Sequence, residues 1–415
     1  MRLILLDIFA SRRNFYPLAF SRPLWELRCG ILNLAQKIRA ACAADSVAGF
    51  APAYMAAACQ GDSPFPINDL AALEGDDLLL VNARLKPQAL ADLLKQPSAA
   101  LATSDGELLF ARVDKSQAAA RDRQSIEAFI KDLAPATAAP SAECWNFIWD
   151  LVDANAGEID RDFVASGRGG QGAKLDSHIS LRGNARDVYI APDATVCPMV
   201  MFDTSRGPIY IDNQACVEAF SQIEGPCYIG PHARLLGARC RSGNSIGPHC
   251  RIGGEIEASI MQGHSNKYHD GFLGHAYVGQ WVNLGALTCN SDLRNDYRGV
   301  TVRLDERGPL DTGLMKFGSL IGDHAKTSIG TLLNTGAYVG AFGMMVTDGE
   351  LAPRFIPSFG TYLRGVIGEG FKREHMFATA RTVLQRRSHT WTPAMEAMWN
   401  AVYEMTAAHR KLASA

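Results

Sequence analysis

The chain has 415 residues, 47% of them hydrophobic and 20% charged, a balance that supports packed cores in about two to three domains and excludes global disorder. Lys and Arg total 41 and Asp and Glu 43, for a formal net charge of −2, so electrostatics give no reason to expect nucleic acid or an anionic membrane as partner. No run approaches the roughly 18 apolar residues of a membrane helix. The opening apolar run is cut by Asp7 and followed by Arg12 and Arg13, which reads as a short buried strand and not as a signal peptide. Ten cysteines are scattered without a Cys-x-x-Cys pair, the pattern of reduced thiols in a cytoplasmic protein.

In chain order, residues 1–155 read as an α/β domain. Leu3–Leu6 is a strand, and Gly30–Ala44 has helical periodicity with a cationic outer face. Asp77–Asn82 is a second buried strand and Gln124–Leu133 a helix, and this alternation favours a layered sheet. Asn82 and Arg84 stand where such a strand ends, a position that either faces a ligand crevice or merely terminates the strand. Residues 156–186 are expected to be a linker, because residues 165–177 are Gly-rich without the G-x-G-x-x-G spacing of a phosphate-binding turn.

Residues 187–365 change texture. An aliphatic residue followed by Gly returns at a six-residue spacing, as in Ile223-Glu-Gly-Pro-Cys-Tyr then Ile229-Gly-Pro-His-Ala-Arg, Ile246-Gly-Pro-His-Cys-Arg then Ile252-Gly-Gly-Glu-Ile-Glu, and Val278-Gly-Gln-Trp-Val-Asn then Leu284-Gly-Ala-Leu-Thr-Cys. A hexapeptide period predicts a parallel β-helix whose coils bury their inner faces by stacking. Two segments interrupt it, Gln262–Gly271 and Ser291–Lys316, and loops leaving a rigid solenoid are where function tends to sit. Residues 366–415 form a helical tail, with helices expected over Glu369–Leu384 and Pro393–Leu412 and caps at Ser388 and Thr392.

Polar chemistry concentrates around the first interruption, in Glu255, His264, Lys267, His269 and Asp270, with Asn283 and Asn290 following. An imidazole suits proton transfer near neutral pH, and beside a cation and a carboxylate it could deprotonate an amine nucleophile. A solvated polar loop is the competing reading. A zinc site of the γ-carbonic anhydrase type needs a further histidine two coils before His264. Position 228 is Tyr, with His232 as the nearest histidine, a poor match to a ligand cage, and no metal ligand is assigned with certainty.

From Tyr189 to about Gly360 the chain resembles the acyltransferase half of the bifunctional N-acetylglucosamine-1-phosphate uridylyltransferase/glucosamine-1-phosphate N-acetyltransferases, in their shortened bacterial variant. The segments that carry the resemblance are Ser265-Asn-Lys-Tyr-His-Asp-Gly-Phe-Leu-Gly, Trp281-Val-Asn-Leu-Gly-Ala, Asp311-Thr-Gly-Leu, Ile321-Gly-Asp-His-Ala-Lys-Thr and Leu333-Asn-Thr-Gly. The run from Asn14 to Ile31 resembles the start of the same variant. The resemblance implies a sugar nucleotidyltransferase-like α/β domain followed by a left-handed parallel β-helix, and a homotrimer with acetyl-CoA between neighbouring helices. It implies His269 as general base for the 2-amino group of glucosamine-1-phosphate and Glu255 as its supporting carboxylate. It places Ala286 at the oxyanion, Ala341 beside the coenzyme, and Phe272, Asn283 and Asn290 at the sugar. A cationic phosphate-binding position becomes Glu257 here, leaving Lys267, or Arg239 and Arg241, to supply the charge.

The N-terminal half departs further from the family. No glycine follows the first strand, where Phe9-Ala-Ser-Arg-Arg-Asn-Phe-Tyr-Pro-Leu stands instead. Arg13 and Arg22 are the candidate forks for nucleotide phosphates. Asn82 stands where the family's carboxylate binds Mg²⁺, and an amide is a poorer ligand. The expected activity is acetyl transfer from acetyl-CoA to an amino-sugar phosphate. Uridylyl transfer from UTP with Mg²⁺ stays open beside it, as do a sugar-nucleotide-binding scaffold with a degenerate first domain and a zinc hydratase.

Overall fold

The computed structural model describes residues 1–95, 101–102, 106–131, 133, 137–138, 143–172, 175 and 177–414. Part of the Gly-rich segment (residues 173, 174 and 176) and residue 132 of the expected helix Gln124–Leu133 lie outside them.

The N-terminal domain is a six-stranded sheet built from β1 (Arg2–Leu6), β2 (Ser46–Phe50), β3 (Leu78–Asn82), β4 (Leu101–Ala102), β5 (Leu108–Val113) and β6 (Thr137–Ala138) in the order 2-1-3-5-4-6. β1 runs parallel to β2 and β3, whereas β5 is antiparallel to β3. Leu3–Leu6 and Leu78–Val81 are buried throughout, which is why both read as unbroken apolar runs. Helix α1 (Leu34–Cys42) starts at a capping box in which Asn33 Oδ1 accepts from Gln36 N and Gln36 Oε1 accepts from Asn33 N, both at 2.9 Å. It ends where Ala43 turns left-handed. The domain adds α2 (Ala53–Gln60), α3 (Pro87–Leu93), α4 (Lys115–Ala119) and α5 (Ile126–Lys131).

The next helix, α6 (Ile148–Ser166), runs unbroken through residue 156, so the expected linker boundary falls inside a helix. Its apolar residues Ile159 and Phe163 pack on the outward tyrosines Tyr189, Tyr210 and Tyr228 of the solenoid. Three of its polar residues make bonds as well. Asn155 Nδ2 donates to Gly243 O at 2.8 Å, and Glu158 and Asp162 hold Lys37 Nζ at 2.7 and 2.6 Å. The Gly-rich residues 165–177 suggest a linker from 156, whereas Ile159, Phe163 and Asn155 hold the helix against partners far along the chain.

From Ser180 the chain winds as the expected parallel β-helix, seven residues earlier than the expected boundary at 187. Its strands form three faces. The first face has nine strands, Val188–Ile190 through Phe355–Ile356. The second begins Thr195–Val196, Cys216–Val217, Arg234–Leu235 and the third Ser180–Arg182, Met201–Asp203, Gln222–Glu224. Ile190, Ile211, Ile229, Ile246, Met261, Val278, Ile321, Val339 and Ile356 stack inside. Ile229, Ile246 and Val278 are aliphatic residues of the six-residue pattern, and each residue of the stack buries its side chain against the coil above and below.

The outward side of the first face is also buried. Ile260, Tyr277, Leu320, Tyr338 and Phe355 belong to the same core as Leu3, Phe15, Trp25 and Trp149. The tail helices α7 (Arg373–Gln385) and α8 (Pro393–Met405) close this core, and α9 (Ala407–Ser414) sets His409 edge-on to Phe355 at its rim. The expected single helix Pro393–Leu412 is two, divided at Thr406. Thr392 caps α8 through Met395 N, but Ser388 caps nothing and sits at φ +61°. The tail folds back along the solenoid's side: α8 packs on α2, and Arg387 reaches His249 O and Asn266 Oδ1. No helix among the described residues is long and apolar enough to cross a membrane, and the ten cysteines are free thiols.

Along the edge between the first and second faces, one ring per coil stacks in a column: His232, His249, His264, Trp281, His324, Phe342 and Phe359. Each sits at positive φ, from +55° to +62°, the corner conformation that usually selects glycine. Their rings repay part of that cost by stacking. Parallel rings stacked on their faces do not converge their nitrogens on one point, so His232 and His264 do not form a zinc cage.

Burial first, and then His249, His389 and Arg387, push the His264 imidazole down to about 3 from its ordinary 6.5. The unfolded chain therefore binds a proton near pH 6.5 that the folded chain refuses until about pH 3, and stability falls as pH drops through that window. Among the described residues His264 Nδ1 has no hydrogen-bond partner, so His264→Phe keeps the stack and removes the liability. Urea titrations at pH 7 and pH 4 should show the variant losing about 3 kcal/mol less than the wild type on acidification.

Candidate functional site

The edge between the second and third faces carries the expected acyltransfer residues. His269 lies at this corner between the strands Asn266–Lys267 and Phe272–Gly274. Its ring is exposed and meets the Tyr268 ring edge-on at 5.0 Å between centroids. Ala286 occupies the same corner one coil further, because Leu287 N donates to Asp270 O at 2.8 Å. The Ala286 carbonyl accepts from Gly330 N at 2.7 Å, while its N–H has no partner among the described residues. Gly271 makes this stacking possible. At φ +127°, a Cβ there would lie 2.3 Å from Thr288 O.

Glu255 sits beside Phe272 in the third face, with Arg239 on its other side. Its carboxylate is held by Arg239 at 2.9 Å and Arg241 at 2.7 Å. It thus clamps two guanidinium groups that stay largely open to solvent, 64% and 50% exposed, and the triad keeps a net positive charge beside Glu257. Phe272 lays its ring over Gly274, where a Cβ would come within 2.5 Å of it. Asn283 is exposed, and its Oδ1 accepts from Asn266 Nδ2 at 3.2 Å.

Three expected residues are engaged elsewhere. Lys267 points into the solenoid, 1% exposed, and donates to the carbonyls of Gly253 and His269. Burial pushes its ammonium down to about 8. It staples the corner and presents no charge to a phosphate. The register was legible: Lys267 pairs with Ile252, an inward position. Asn290 is also buried. Its Oδ1 accepts from Gly274 N at 2.8 Å and its Nδ2 donates to Gly274 O at 2.9 Å, an amide standing in for a neighbouring strand just before the long insertion. Asn290→Ala should cost about 2–3 kcal/mol in chemical denaturation, because it strands both polar groups of Gly274. Ala341 is wholly buried, and its N–H donates to Ser358 Oγ at 3.1 Å.

In the N-terminal domain, Arg22 is buried against Asp323 of the solenoid at 2.5 Å and also donates to Leu18 O and Gln280 Oε1. It ties the two domains and is closed to a nucleotide. Asn82 donates to Leu108 O and accepts from Arg84 N, so both its polar atoms are spent. Arg84 pairs with Glu107 at 2.7 Å, and Glu107 also accepts from Ser11 N and Oγ. Asp7 is buried against Arg12 and Leu24 N. These strand-end residues do not fit a Mg²⁺ site: each carboxylate already faces a cation or an N–H, and Asn82 offers no free oxygen. Arg13 remains exposed. Sequence reasoning missed Arg12, the buried organiser of the loop after β1, which reaches Asp7, Tyr54 OH, Ala19 O and Arg22 O.

Residues 3–169 match the family model described as sugar nucleotidyl transferase. The chain is 31% identical over 184 residues to a bifunctional protein GlmU of Jannaschia sp. (strain CCS1), covering 42% of this chain and 34% of that protein. It is 41% identical over 93 residues to the GlmU of Azoarcus sp. (strain BH72), covering 20% of each. The matched stretch thus spans about a third or less of these relatives' length. A solved UDP-N-acetylglucosamine acyltransferase of Francisella novicida aligns with 55% of this chain and 91% of its own, at 10% identity and a TM-score of 0.32. The chain is thus similar to the sugar nucleotidyl transferase family over residues 3–169 and to GlmU proteins over part of its length, and a parallel β-helix follows the matched N-terminal region.

Proposed function

We propose that the protein is an acetyl-CoA-dependent N-acetyltransferase acting on an amino-sugar phosphate, with glucosamine-1-phosphate as the substrate. The observation that carries this reading is the placement of His269 and Ala286 at one corner of successive coils, beside the Arg239–Glu255–Arg241 triad.

In this reading the His269 imidazole takes the proton from the sugar's 2-amino group as nitrogen attacks the thioester carbonyl. The C–N bond forms, the carbonyl oxygen gains negative charge beside the Ala286 N–H, and the C–S bond then breaks to release coenzyme A, which takes up a proton. Arg239 and Arg241 meet the sugar phosphate, and Glu255 positions them. Phe272 and Asn283 flank the sugar. The same edge exposes Phe220, Leu287 and Ile329 at 75%, 58% and 74%, and in a homotrimer a neighbouring copy covers this column and completes the cleft around His269.

The spent Arg22 and Asn82 favour a second reading for the first domain alone, a degenerate nucleotidyltransferase unit whose work is to brace the solenoid. Titration calorimetry separates an enzyme from a scaffold. Acetyl-CoA should bind the full chain saturably; binding of UDP-N-acetylglucosamine with none of acetyl-CoA would support the scaffold instead.

A further inference from the structure

The insertion between the third and first faces folds into a hairpin, Thr301–Arg303 paired with Pro309–Asp311. It sits directly on Gly336, where a Cβ would lie 2.4 Å from Thr301 O. Between the hairpin and the last coil lies a cavity of about 360 Å³, lined by Thr301, Arg303, Gly336, Arg354, Phe355 and Ile367 among others. This edge of the rod is a different one from that carrying His269.

Two half-buried guanidinium groups line this space, and neither has a carboxylate partner among the described residues. Arg303 lies over the Phe355 ring at 5.4 Å and donates only to the backbone oxygen of Asp305, at 3.2 Å. The neighbouring acids are engaged: Arg307 holds Asp305 at 2.6 Å, and His409 Nε2 contacts Glu306 at 3.0 Å. Asp311 accepts from Gly313 N at 3.0 Å. Both guanidinium groups line a recess walled by Phe355 and Ile367, and with no ion pair of their own they give it a positive lining that favours an anion. A guanidinium fork matches phosphate oxygens in pairs, and the volume suits a small organic ligand.

We propose that this cavity binds a phosphate-bearing small molecule, held by Arg303 and Arg354 against the apolar wall of the last coil. The site is independent of the acetyl-transfer reading. The test is calorimetry on the full chain at low ionic strength with inorganic pyrophosphate, AMP and adenosine as probes. Pyrophosphate and AMP should bind, adenosine should not, and tighter binding of AMP identifies an organic phosphate. Arg303→Gln and Arg354→Gln should each weaken binding at least tenfold. Hydrogen exchange on the wild type supplies a readout that needs no variant, with pyrophosphate slowing exchange over residues 301–311 and 353–355. Absence of saturable binding, equal binding of AMP and adenosine, affinity unchanged in both arginine variants, or unaltered exchange in those segments would each overturn the site.

Discussion

His269→Ala should lower the rate of acetyl transfer by about 10²–10⁴-fold, the span that a positioned general base supplies. The loss should fall on kcat with KM little changed, because the proton moves only as the C–N bond forms. The same variant should unfold within about 0.5 kcal/mol of the wild type, since the ring it removes is exposed on the surface. Initial rates with acetyl-CoA and glucosamine-1-phosphate, beside a urea titration of both proteins, check the two halves together. Undiminished acetylation by the variant would remove His269 from the mechanism.

Asp323→Ala should be the most damaging single change to stability, at about 3–5 kcal/mol. Asp323 accepts from Arg22 and Ser21 Oγ, each at 2.5 Å, and from Gln280 N at 2.8 Å. Arg22 is 3% exposed, so deleting the carboxylate leaves a buried, uncompensated charge between the N-terminal domain and the solenoid. Replacing both partners with apolar residues, as in Arg22→Met with Asp323→Leu, should cost distinctly less, because the unpaired charge goes too. Chemical denaturation of the three proteins compares these directly, and a double variant no better than Asp323→Ala would mean that the pair's hydrogen bonds dominate, and not its charge.

The solenoid was legible because its cause is local. Each coil needs an inward aliphatic residue and a corner, and both recur at the hexapeptide spacing from Ile229 to Ile356. The short strands β1 and β3 were legible for a similar reason, as apolar runs that end at polar residues. What the sequence hid is set by distant partners. Arg22 follows the first strand like a phosphate ligand, yet its carboxylate lies in the far end of the rod. His264 and His269 look alike in sequence, five residues apart. The structure separates them, one in a stacked column at a left-handed corner and the other alone on an exposed edge. Coils of unequal length conceal the column, since its rings do not recur at one fixed spacing. Helix α6 extends into the expected linker because Ile159 and Phe163 find their partners only in the solenoid's tyrosines, which the Gly-rich residues 165–177 do not announce.

The account turns on acetyl transfer at the His269 edge. Its most direct test is incubation of the full chain with glucosamine-1-phosphate, acetyl-CoA, UTP and Mg²⁺, with the products followed by mass spectrometry. The account predicts N-acetylglucosamine-1-phosphate in step with released coenzyme A, whether or not a nucleotide sugar follows. Consumption of neither acetyl-CoA nor the amino sugar by the folded, assembled protein would contradict it.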